Sequence, residues 1–205
     1  HYRYAKMAAS GAGIPDVDVK MQYPEGMHVL RDEMPMMERF AGWMYRRHAN
    51  PGTPFHIFLI SLVCRYSSLA LLPAFLLSAL LLRNALAGVA TALFYAFTYT
   101  MIGNVVLGGY VRQDFVLPFL FLGTVFLVAG VERGSLVLAL LAAVLLAFSF
   151  VSWHLSQFFY LVLLAGLILV YFIRADARGR IARTVLVVTV VLAAVSLFSL
   201  PLRAG

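Results

Sequence analysis

Cysteine is almost missing. Cys64 is the one cysteine among 205 residues, so no disulfide can form within the chain, and cysteine usage does not reveal the redox compartment. Charge is scarce as well: Asp, Glu, Lys and Arg make up 12% of the residues against 62% hydrophobic types, and the mean hydropathy is +0.90. A soluble domain carries about twice that share of charge, so the composition excludes one and points to a polytopic membrane protein. The sequence has no nucleophile motif, phosphate-cradling glycine loop or zinc-ligand spacing, and no low-complexity tract or strict repeat.

The few charges are unevenly placed. Six of the nine acidic residues fall before residue 39, namely Asp16, Asp18, Glu25, Asp32, Glu33 and Glu38. From Phe55 to Ile173 the charged residues are Arg65, Arg83, Arg112, Asp114, Glu132 and Arg133. The chain therefore divides into a polar N-terminal segment, 1–53, and a membrane block, 54–205. The net charge of +7 gives no case for nucleic acid, because membrane proteins gather Lys and Arg in cytoplasmic loops.

A bilayer-crossing helix needs about twenty apolar residues, with ~17 as a lower limit. Six stretches qualify: 57–82, 85–107, 115–131, 135–152, 155–173 and 184–201. Their short connections make successive helices antiparallel neighbours. The predicted fold class is thus all-α, a polytopic helix bundle preceded by an outer-face segment with short amphipathic helices. Alternation puts the links at Arg83–Asn84, at 132–134 and at 174–183 on one side. The links at 108–114 and 153–154 lie on the other, with residues 1–53. The first side holds Arg83, Arg133, Arg174, Arg178, Arg180 and Arg183, the short links of the second only Arg112. The positive-inside rule makes the first side cytoplasmic. The chain opens HYRYAKMAAS on the outer face, and a further transmembrane helix is expected upstream of His1.

Within the polar segment, SGAGIPDVD (10–18) reads as a loop, and Asp16 and Asp18 as turn formers. PMMERFAGWMYRR (35–47) groups Met36, Met37, Phe40, Trp43 and Met44 on one helical face. This predicts an amphipathic helix lying in the membrane interface or packed on the outer ends of the bundle. Arg65, about a third of the way along its span, either snorkels or pairs with a neighbouring helix; no partner is evident in the sequence.

The stretch GGYVRQDF (108–115) poses the functional question, because Arg112 and Asp114 are costly between two oily runs. Topology places them on the outer face with Trp153 and His154. Two readings are open: an interfacial ion pair, or a site for an anionic or metal-bound ligand, although one Asp and one His make an incomplete metal shell.

Several stretches resemble the oligosaccharyltransferase catalytic subunits, a family with the C-type glycosyltransferase fold. GGYVRQD resembles the second acidic motif of that family. Residues 67–96 resemble the helix pair leading into it, and FVSWHLSQFFYLVLLAG (150–166) the next outer turn. HYRYAKM and YPEG resemble its first outer loop, and SLPLRAG a proline-containing helix end. The similarity keeps the order of these elements over nearly the whole chain, as the N-terminal membrane part of a longer protein. It implies transfer of a glycan from a polyprenyl-linked donor to a protein acceptor on the extracytoplasmic face of the cell membrane, with Mn or Mg near the acceptor amide. Additional membrane subunits are possible partners. It implies Asp114 as a metal-site and catalytic residue and Arg112 as its catalytic neighbour. Tyr2, Arg3, Tyr110, Trp153 and His154 would lie near donor or acceptor. Arg112 departs from the pattern, standing where the family has an acidic residue. It either supplies the cation that a metal would supply or grips a donor phosphate. The missing carboxylate favours an alternative, a C-type transferase using a polyprenyl-monophosphate sugar. A non-catalytic membrane subunit or transporter is a third reading; Arg65 with Pro73 is its only hint.

Overall fold

The computed structural model describes residues 1–21, 25–29, 35–98, 112–153 and 155–204, with backbone alone at 112 and 198–204. The described chain is mostly helical.

The polar segment is built on two crossed helices, α1 (Tyr2–Ala9) and α2 (Met36–His48). They approach so closely that a Cβ on Gly42 would lie 2.6 Å from the Cβ of Ala8, so only glycine fits there. The Arg46 guanidinium donates to the carbonyl of Ala8 and so caps the end of α1. Two short strands, β1 (Val17–Asp18) and β2 (Met27–His28), pair antiparallel, with Val17 opposite His28.

Two features of this segment go beyond the expectations. The buried face of α2 runs through Met37, Glu38, Ala41 and Gly42, while Met36 and Trp43 are exposed. Glu38 is accommodated on the inner face because His1 Nδ1 lies 2.6 Å from Glu38 Oε1, so the buried carboxyl group is met by a hydrogen-bonding partner. Asp18 is more than a turn former. Its side chain is buried, ion-paired with Arg3, and accepts from the Tyr4 hydroxyl at 2.6 Å and from the Lys20 amide at 3.0 Å. It ties α1 to the strand pair.

The membrane block follows. α3 (Phe55–Leu69) and α4 (Leu71–Leu82) form one apolar stretch broken at Ala70. Arg83 takes a left-handed conformation with φ of 50°, which ends α4. Asn84 then caps α5 (Ala85–Phe97) by accepting from the Leu86 amide at 2.8 Å. α5 folds back on α4, and the Thr91 hydroxyl donates to Ser78 Oγ at 2.8 Å. Next come α6 (Arg112–Arg133), α7 (Leu136–Ser152), α8 (Leu155–Ile173) and α9 (Arg178–Ala204). Four helical stretches are long and apolar enough to cross a membrane: Phe55–Leu82, Gln113–Arg133, Leu155–Ile173 and Ala175–Leu197. Their length and composition mark a membrane protein. Two of the six expected spans are described as shorter apolar helices. α7 has 17 residues, and α5 has 13, with the rest of that expected span, from 99, outside the described residues.

The core lies where α6, α7 and α9 meet. α7 presents Ala139, Ala142, Ala143, Leu146 and Ala147, all buried, on one face at helical spacing. Small side chains let backbones approach, which is how helices gain packing in lipid. Val116, Leu120 and Leu127 of α6 and Val188 and Leu192 of α9 fill the space between. At one end of this bundle, Arg83 lies 3.9 Å from Glu132, and Arg180 packs on Gly134. These contacts bring the links at 83–84 and 132–134 to one end, together with the start of α9, as the alternation of short links requires. At the other end α2 packs on α3 and α6.

Candidate functional site

Asp114 lies in the first turn of α6, where a carboxylate suits the positive end of the helix dipole. Its side chain is 4% exposed. That depth comes from α2, which lays Met37 and Phe40 over the end of the bundle. Below them, Tyr66 of α3 stacks on Phe115 with centroids 5.3 Å apart, and Phe40 meets both rings at 5.4 and 5.3 Å. Phe119 and Phe148 extend the cluster inward. The hollow enclosed by Met37, Phe40, Leu62, Val63, Tyr66, Phe115 and Asp114 measures about 20 Å³. That is room for about one water molecule, not for a sugar or a phosphate. A ligand reaching Asp114 along this path must first displace α2 or the aromatic roof.

Of the other expected site residues, Trp153, Tyr2 and Arg3 are described. Trp153 follows α7, donates its amide to the Ser149 carbonyl at 3.1 Å, and packs against the same core as Phe115. Tyr2 stands against Phe55, with centroids 5.6 Å apart, and Arg3 is bound to Asp18 with its guanidinium over the Tyr4 ring. Neither lines the hollow at Asp114. Tyr110, His154 and the side chain of Arg112 lie outside the described residues.

Mn or Mg takes about six oxygen ligands. Asp114 offers carboxylate oxygens, but its neighbours at the hollow are Met, Leu, Val and aromatic side chains. Among the described residues no group of three or more His, Cys, Asp or Glu side chains converges. The described residues therefore do not make up a shell for either metal.

Two features were not evident in the sequence. One is the seat of the roof over Asp114: the oily face of 35–47 with Met37 and Phe40 was legible, but not that it closes over Tyr66, Phe115 and Asp114. The other is a larger cavity along the outside of α3, about 540 Å³, lined by Arg65 and the end of α2. The isolated Arg65 was its only signal.

No protein-family model matches the chain, and no curated protein matches it.

Proposed function

We propose that this chain is the membrane part of a glycosyltransferase of the oligosaccharyltransferase type, moving a glycan from a polyprenyl-linked donor to a protein acceptor on the extracytoplasmic face. The observation that carries this reading is Asp114: a buried carboxylate at the head of a core membrane helix, beneath the polar segment. A buried ionisable group at such a place is costly and is a functional candidate. The order of the motifs around GGYVRQD supports the family type. In this reading α2 or the aromatic roof moves aside, and Asp114 then accepts a hydrogen bond from the acceptor amide and orients it. Arg112, two residues earlier, grips the leaving lipid phosphate with two parallel hydrogen bonds.

Arg112 also favours a second reading, transfer of one sugar from a polyprenyl monophosphate, because it stands where the family has a carboxylate. The two readings separate by donor. Membranes bearing the protein are assayed with a pyrophosphate-linked oligosaccharide and with a monophosphate-linked sugar; the donor that is consumed identifies the reaction. Asp114→Ala abolishes transfer from that donor, whereas full activity at normal expression removes Asp114 from the site. Arg112→Lys weakens transfer by losing the bidentate grip, and Arg112→Asp makes transfer more dependent on Mn. If both variants match the parent with and without Mn, Arg112 is a headgroup anchor.

A further inference from the structure

α3 has two faces. Phe55, Leu59, Val63 and Ser67 point inward and are buried. Ile57, Ser61, Arg65 and Leu69 recur at the same four-residue spacing on another face, which lines the cavity of about 540 Å³. At its head end this cavity is bounded by His48 and Asn50. The Trp43 and His48 rings meet in a T-shaped pair, with centroids 6.0 Å apart.

Arg65 sits ten residues into a 28-residue apolar stretch, roughly 15 Å along the helix from its start. A cation at that depth needs an anion or a path to water. Among the described residues no carboxylate pairs with Arg65, and no Asp or Glu lines the cavity. Side chains on a helix lean toward its N-terminus, which turns the guanidinium toward Ser61 and the head end. The cavity thus combines a fixed cation, hydroxyl, amide and imidazole groups, and an apolar strip through Leu69 that continues into the span. Its volume lies within the range of small-ligand sites, about 300–1,000 Å³.

We propose that this cavity binds the phosphate group of a membrane lipid. Arg65 grips the phosphate oxygens, Ser61, one turn nearer the head end, donates to a remaining one, and the lipid chain runs along Leu69. The ligand chemistry is a lipid phosphate ester, supplied either by a bilayer phospholipid or by a polyprenyl phosphate. The site is separated from Asp114 by Leu62 and Tyr66, which line both hollows. It does not depend on the glycosyltransferase reading, because the test measures binding, not transfer.

The test is native mass spectrometry of the detergent-solubilised full chain, titrated with phosphatidylglycerol, a polyprenyl monophosphate, or diacylglycerol as a phosphate-free control. The parent retains one or both phosphate lipids and not diacylglycerol; the tighter of the two identifies the source. Arg65→Gln weakens that binding at least tenfold. Ser61→Phe, which blocks the space beside Arg65 and keeps the cation, weakens it by a similar factor and carries the test alone if Arg65→Gln does not fold. Equal retention of diacylglycerol, no retention of either phosphate lipid, or parent-like binding by Ser61→Phe overturns the proposal.

Discussion

α6 and α8 are both long and apolar, yet they occupy opposite situations. In the apolar window of Gln113–Arg133, 56% of the residues are buried within the chain; in that of Leu155–Ile173, 6% are. α6 has α3, α4, α7 and α9 around it, whereas α8 touches α7 and α9 sparsely and buries only Ser156. Hydropathy reports that a segment prefers lipid to water. It does not report whether the neighbours will be lipid or protein, because a leucine is equally at home against either. What separates the two helices is the surface opposite them. α7 offers α6 a stripe of alanines, so backbones close up and α6 gains dispersion contacts along its length.

The comparison can be broken by substitutions at matched positions, measured as shifts in thermal or denaturant unfolding in detergent. The largest effect belongs to Gly123→Leu. A Cβ at Gly123 already meets Leu146 Cγ at 3.0 Å and Cδ2 at 3.1 Å, and Leu146 is itself buried and unable to retreat. Overpacking there costs about 3 kcal/mol; a parent-like unfolding midpoint means that α6 and α7 are not packed as described. Leu127→Ala follows at about 2 kcal/mol, because Leu127 is 1% exposed and its loss leaves a void in the packing.

The same changes on α8 are expected to be nearly silent. Leu161, at 62% exposed, is replaced by Ala for less than about 0.5 kcal/mol. Smallest of all is Gly166→Leu, where an added Cβ meets nothing within 4 Å and the change stays within about 0.5 kcal/mol. A loss of 2 kcal/mol or more at either position shows that α8 has a protein partner in the detergent-solubilised state, which sharpens the comparison into one between an internal and an intermolecular interface.

The contrast also marks how far the residues could be read directly. The apolar runs were legible because a bilayer imposes a length on them. The pairing of links was legible through alternation, and Arg83 beside Glu132 agrees with it. The ranking of helices by burial was not legible, since it depends on which alanine stripe faces which glycine across a space the sequence does not show. Asp114 was legible as an oddity because a carboxylate between oily runs is costly. Its roof was not, because Phe40 and Phe115 belong to segments far apart in the chain. The inward setting of Glu38 was not legible for the same reason: its partner His1 is distant in the chain.

The two-sided packing of α2 has a consequence for assembly during synthesis. One side of the helix meets α1 and His1, which have already been made when α2 emerges. The other side, through Phe40, meets Tyr66 and Phe115, which have not. At about 5–20 residues per second, Phe40 waits on the order of several seconds for Phe115. The Glu38 carboxyl can meet His1 at once, and Tyr66 can reach Phe40 when α3 is made, but the oily flank of α2 is not fully covered until Phe115 arrives with α6. The packing of α1 on α2 can therefore precede the seating of α2 on the bundle, and in that interval the Phe40 flank is exposed to mispairing.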